Sequence, residues 1–302
     1  MRVVSLLPAA TEIVAALGAL EMLVGVTHEC DYPPQVASLP RVTRSAVDAR
    51  GDAGTVDAQV RAAHQAGSAL FSLDEARIAE LRPDVILTQA LCDVCAVSET
   101  DVRSLASRLA PRPRVVTLGA TTLGGMFMDI ALVAEPLDAA DEAVELTMGL
   151  GARMRAVHER LEAAAAPRPR AVVVEWTEPL YVAGHWVPEM VRRAGGADVL
   201  ARAGDHSRTI SAAEVEGANP EVVIVAPCGH DVMRAAENGA RLLARAEWAW
   251  ARSRSVWAVD GNALVSRPGP RLVEGIATFA AMLHPALFPA PRPEYARRVA
   301  GS

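Results

Sequence analysis

Residues 138–166 read DAADEAVELTMGLGARMRAVHERLEAAAA, with no proline among them. Ala, Leu, Met, Glu and Arg dominate, residues that lose little side-chain freedom in a helix. Apolar side chains recur at Val144, Leu146, Met148, Leu150, Met154, Val157 and Leu161, at helical spacing. Gly149 and Gly151 weaken the pattern by roughly 1 kcal/mol each. The stretch still predicts one helix of about 28 residues, roughly 40 Å long. Pro167-Arg168-Pro169 closes it.

On either side the chain alternates short apolar runs with helical patterns. Before the helix, Val3–Leu7, Leu23–Val26, Asp84–Thr88 and Arg114–Leu118 read as strands. Helices are expected from Thr11, over Asp74–Leu81, and from Ser98 to Leu109, where Ser98 and Asp101 resemble a capping box. After it, Ala171–Glu175, Val222–Val225 and Val256–Val259 read as strands. Helices are expected near Val187–Ala194, Ala212–Gly217, Val232–Ala244 and Pro270–Leu283. This alternation predicts parallel sheets. ELRPDVIL in the first half is echoed by GANPEVVIV in the second, each a short helix closed by proline before a strand. The expected fold is therefore α/β: two lobes with parallel β-sheets flanked by helices, joined by one long backbone helix. The expected boundaries are 1–136 for the first lobe, 137–167 for the helix and 168–302 for the second. The Pro- and Ala-rich tail after His284 reads as peripheral.

The chain carries 302 residues and a net charge of −6. Nothing in that balance calls for a nucleic-acid partner or an anionic membrane surface. All 30 basic residues are arginine, which removes any chemistry that needs a lysine Schiff base or a P-loop lysine. No apolar run is long enough for membrane insertion. Met1-Arg2 leads straight into Val3–Leu7 with no signal-peptide pattern, so the expected location is cytoplasmic, with reduced thiols.

The four cysteines all follow predicted strands: Cys30 in LVGVTHEC, Cys92 and Cys95 in DVILTQALCDVC, Cys228 in VVIVAPCGH. Open α/β sheets bind ligands outside the carboxyl ends of their strands. Cys30, Cys92 and Cys95, with His28, would suit zinc or an iron–sulfur cluster. The alternative is small, buried, reduced thiols. His28 reads either as a ligand to a metal or corrinoid or as a loop histidine bonded to backbone. Glu29 reads either as a ligand or orienting group for His28, or as a solvated carboxylate. Trp176, Tyr181, His185 and Trp186 crowd one turn-rich segment, EWTEPLYVAGHW, whose rings suit the wall around a large planar ligand or pack on the long helix. Cys228, before Gly229-His230-Asp231, sits where a helix begins, a place that favours an anion or a thiolate and makes it a candidate metal ligand from the second lobe; the alternative is a plain turn with Asp231 as cap. His64, His158, His206 and His284 show no partner pattern. No nucleophile elbow, zinc-protease motif or phosphate loop is present. Binding without catalysis is the expected activity.

These segments resemble the helical-backbone substrate-binding proteins, the class III periplasmic binding protein-like family, and its cobalamin-type members in particular. RVVSLLPAATEIVAALGA is similar to their first strand and helix. LVGVTHECDYPPQV resembles the second strand and the following loop. LDEARIAELRPDVIL, YVAGHWVPEMVRRAGGADVL and RPGPRLVEGI follow in the family's order. The resemblance implies cobalamin, another corrinoid or a related metal chelate held between the lobes. His28, Glu29, Gln89, Trp176, Tyr181, His185, Trp186 and Arg267 would contact it, and an ABC permease would be the partner. It also implies one permease-docking glutamate on each lobe. Those positions fall on Ala76 and Ala213, with Glu75 and Glu214 beside them.

Overall fold

Val3, Val4, Ile86 and Leu87 are wholly excluded from solvent, as expected of parallel strands covered on both faces. The computed structural model describes residues 1–48, 51–66, 69–90 and 97–301. Cα packing divides the chain into two units: 1–120 with 124–148, and 121–123 with 149–302.

In chain order the first unit runs β1 (Val3–Ser5), α1 (Pro8–Ala16), β2 (Leu23–Val26), β3 (Thr43–Ser45), α2 (Ala53–Gln65), β4 (Phe71–Leu73), α3 (Glu75–Leu81), β5 (Val85–Gln89), α4 (Glu99–Arg108), β6 (Arg114–Leu118) and α5 (Leu123–Leu137). Its main sheet is parallel with order β2-β1-β5-β6; β3 and β4 form an antiparallel pair. Gly25 on β2 permits the close packing, since a Cβ there would lie 2.7 Å from Leu81 Cδ1. Pro8 opens α1, where its missing N–H costs nothing. Asp74 caps α3 by accepting from Arg77 N–H at 3.0 Å. The box expected at Ser98 does not form: Ser98 is the cap residue of α4, but its hydroxyl makes no capping bond. Glu99, in the first turn, turns to Thr117 Oγ1 (2.8 Å) and Arg103 Nε (2.7 Å) and ties α4 to β6.

The predicted long helix is α6 (Ala140–Ala163), 24 residues in one piece. The division between the units falls inside it, between Met148 and Gly149. Leu150, Val157 and Leu161 are its buried stripe, whereas Val144 and Met148, counted toward that stripe in the sequence, face solvent.

The second unit continues with β7 (Arg170–Thr177), β8 (Leu180–Val182), α7 (Val187–Arg193), β9 (Ala197–Asp198), β10 (Arg208–Thr209), α8 (Ala212–Gly217), β11 (Val222–Val225), α9 (Val232–Ala244), β12 (Ser255–Val259), α10 (Gly261–Leu264), α11 (Leu272–Leu283) and β13 (Ala296–Ala300). Its sheet runs β10-β8-β7-β11-β12-β13, with β9 beside β7. β7, β11 and β12 are the parallel centre. The tail is not peripheral: β13 pairs antiparallel with β12 and buries Ala296, while Arg298 lies over the Trp257 ring at 5.1 Å. Among the described residues no helix is long and apolar enough to cross a membrane.

Candidate functional site

In the first sheet β1 leads toward β2 on one side, and β5 leads toward β6 on the other. Their exits diverge, which is the topological switch where α/β sheets hold ligands. Cys30 reaches this edge but is 2% exposed. Ser5 donates to Leu7 O (3.0 Å) and Thr11 donates to Ser5 Oγ (2.8 Å). Cys30 Sγ lies 3.0 Å from Thr11 Oγ1. Either atom can donate in that contact; when the Thr11 proton is directed at Ser5, the Cys30 thiol is the donor. A donating thiol is the reverse of the thiolate a metal takes. Cys92 and Cys95 lie outside the described residues. Among the described residues no group of three or more His, Cys, Asp or Glu is placed to hold a metal.

His28, just past β2, is half-buried. Its Nδ1 lies 2.7 Å from Thr43 Oγ1 on β3, and its backbone N–H donates to the same oxygen at 3.0 Å. Thr27 Oγ1 lies 2.8 Å away on the other side. The Thr43 oxygen therefore has one lone pair and one proton for its two other neighbours. When His28 Nδ1 donates to Thr43, Thr43 donates to Thr27, and Nε2 carries the lone pair. Phe71 packs on the imidazole at 5.5 Å. Burial, and then the Arg41 charge, holds the His28 pKa below its ordinary value. Glu29 is exposed, and its N–H donates to Thr27 Oγ1 at 3.5 Å. Gln89 ends β5 half-buried. Asp129 on α5 shapes the exit of β6 by accepting from Gly119 N–H (3.3 Å) and Ala120 N–H (3.0 Å); burial raises its pKa.

The second sheet has its own switch between β7 and β11, where the exits again part. Trp176 and Tyr181 face each other across β7 and β8. The Trp176 ring lies 5.4 Å from His230, and its Nε1–H donates to Glu178 O at 3.0 Å. His230 is buried, and its Nδ1 accepts from Asn238 Nδ2 at 3.1 Å. That amide is oriented by Thr177, which donates to Asn238 Oδ1, and by Arg234 O. Burial first, then the Arg234 charge, pushes the His230 pKa down to about 4 against a smaller opposing effect of Asp231. Asp231 caps α9 by accepting from Arg234 N–H at 2.9 Å. Cys228 is exposed at this edge. Arg267 donates to Asn262 Oδ1 at 2.7 Å, and Asn262 N–H donates to His230 O at 3.1 Å. Trp176, Tyr181, Cys228, His230 and Arg267 thus gather at one sheet edge.

Trp186 is not on that surface. It is 5% exposed, and its Nε1–H donates to Val265 O at 2.7 Å inside the second unit. His185 stands instead against His206, ring centres 5.2 Å apart. Sequence reading missed His206, Thr43, Asn238 and Asn262. None has a motif of its own, since each acts only by holding or facing another side chain.

At the two expected docking positions Ala76 and Ala213 are exposed. Glu75 beside the first accepts from Arg108 at 2.8 Å. Glu214 beside the second is held in a capping box with Ser211.

The family described as periplasmic binding protein matches residues 3–252, so the chain belongs to the periplasmic binding proteins. A search of curated proteins gives no match. Among solved structures, a periplasmic haem-binding protein of Pseudomonas aeruginosa is similar at 22% identity, with 98% of this chain and 97% of that one covered and a TM-score of 0.73. The periplasmic vitamin B12-binding protein BtuF of Vibrio cholerae is 20% identical, over 94% and 97% of the chains, with a TM-score of 0.61. The periplasmic haem-binding protein HutB of Vibrio cholerae is 20% identical, over 94% and 99%, with a TM-score of 0.65. At these identities the likeness shows a common fold.

Proposed function

We propose that this chain is the substrate-binding component of an ABC importer and that its substrate is a tetrapyrrole-class metal chelate, a corrinoid such as cobalamin or a haem. The observation that carries the reading is His28. Its imidazole is anchored through Nδ1 by Thr43 and kept neutral by burial, so that Nε2 is left for an axial bond to cobalt or iron. Trp176 and Tyr181 supply ring surface at the second sheet's edge, suited to a large planar ligand. Arg267, braced by Asn262, suits a peripheral carboxylate or carboxamide. The fold is shared with proteins named for binding haem and vitamin B12. The chelate is bound and released unchanged, and no residue is asked for a covalent step. A permease partner would meet Ala76 and Ala213 where a glutamate is expected, with the neighbouring glutamates already engaged.

Absorbance titration with cobinamide, cobalamin and haemin tests the reading. Saturable binding of at least one, with an axial-ligand band shift that His28→Ala removes, is the expected result. Absence of binding by all three at about 100 μM, a Kd weaker than roughly −5.5 kcal/mol of affinity, would discard the tetrapyrrole assignment.

A further inference from the structure

One pair of imidazoles is left outside the proposed chelate contacts of the sheet edges. His185 has a φ of +52°, uncommon for a residue other than glycine. The segment holding it is locked to residues 204–207. His185 N–H donates to Asp205 O at 2.6 Å, Gly204 N–H to His185 O at 2.9 Å and Gly184 N–H to Ser207 Oγ at 3.0 Å. At Gly184 a Cβ would lie 2.4 Å from Asp205 O, so only glycine allows this approach. The lock holds the His185 and His206 rings with centres 5.2 Å apart and planes at 87°. His185 Nε2 is buried and finds no hydrogen-bond partner among the described residues. Burial and the neighbouring His206 keep the His185 imidazole toward its neutral, ligating form. A pocket of about 200 Å³ opens alongside, lined in part by Arg202, Asp205, His206 and Arg208.

We propose that His185 and His206 form a two-imidazole site for a borderline transition-metal ion such as Zn2+, Co2+ or Ni2+, with its other coordination positions open to water or an anion in the adjoining pocket. Two imidazoles on one tetrahedral ion, at metal–nitrogen distances of about 2.0–2.1 Å, place their ring centres roughly 5 Å apart. The observed spacing already meets that requirement. Nitrogen ligands of this kind favour zinc, nickel and copper over calcium or magnesium. The ion would give the buried Nε2 the partner it lacks. Arg202 and Arg208 beside the pocket favour an anion as the completing ligand. With two protein ligands the site binds modestly and exchanges readily. It takes a bare ion and does not depend on the chelate reading.

Full-length protein, purified without a histidine tag and stripped with a chelator, is titrated with Co2+ by absorbance and with Zn2+ by calorimetry. One ion per chain is expected, with an intense tetrahedral cobalt spectrum. His206→Gln, at an exposed side chain, and His185→Asn, which tolerates the left-handed backbone, should each weaken binding at least about tenfold. His28→Ala should leave it unchanged. No ion bound by the wild type at about 100 μM, or variants that bind as tightly as the wild type, would overturn the site; so would a loss caused by His28→Ala alone.

Discussion

Thr43 Oγ1 serves two atoms of His28 at once, the backbone N–H at 3.0 Å and Nδ1 at 2.7 Å. The imidazole's direction is therefore set by a strand whose own position depends on pairing with β4. Thr43→Val keeps the shape and removes the oxygen. It should weaken chelate binding by about tenfold or more through loss of orientation. It should also cost about 1–3 kcal/mol in urea unfolding, because Thr27 and the His28 N–H lose a buried partner.

Trp176 and Trp186 sit ten residues apart and should behave as opposites. Trp186→Phe strands Val265 O and should cost about 1–3 kcal/mol of stability, with chelate affinity unchanged. Trp176→Ala should lower chelate affinity by tenfold or more. Paired denaturation and titration experiments read both; an affinity loss confined to the Trp186 variant would reverse the assignment of the two rings.

His230 ties stability to pH. Its folded pKa is about 4, below the ordinary 6.5, so between those values the unfolded chain binds a proton that the folded chain refuses. Stability is then fully present above about pH 6.5 and falls as pH drops toward 4. The loss from this group between pH 7 and pH 5 should be on the order of 2 kcal/mol. His28 and His185 are also lowered and act in the same sense. Urea unfolding at the two pH values should show a shallower pH dependence for His230→Gln than for the wild type.

Thiol reactivity should separate two cysteines that look alike in the sequence. Cys228 is exposed, and Cys30 is buried behind Thr11. In the folded protein, iodoacetamide should label Cys228 well before Cys30, as read by peptide mass spectrometry.

Glu214 is occupied as a helix cap. Glu214→Ala should cost about 1 kcal/mol in stability, whatever it does to a permease contact. A full loss of transport with unchanged stability would show instead that this carboxylate docks.

Leu23–Val26, Arg114–Leu118, Val222–Val225 and Val232–Ala244 were readable to the residue. Two are short apolar runs in parallel sheets, Arg114–Leu118 is an edge strand that buries only Val116 and Leu118, and the fourth is an amphipathic helix with its own aspartate cap. α5 left no comparable mark: Gly124 and Gly125 open it, Pro136 lies inside it, and it has too few polar residues to show a face. β13 was hidden by its two exposed arginines, which read as tail and act as edge strand. At the site, sequence order marked the sheet ends correctly, because strand exits are legible wherever strands are. It did not show which side chains anchor which. Thr43 and His206 reach their histidines only through chain crossings, the latter through a glycine too crowded for any other residue, whereas Asn238 reaches His230 from the helix that directly follows it.

β13 also decides how the second sheet meets other molecules. Without it, β12 would present an open row of backbone groups along Val256–Val259, the kind of border on which foreign strands nucleate. Arg297 and Arg298 now stand on that border and face solvent. A protease cut in the stretch between Leu287 and Tyr295 would loosen this cover without touching any binding residue. The damage would then appear first as self-association on storage, well before any loss of ligand.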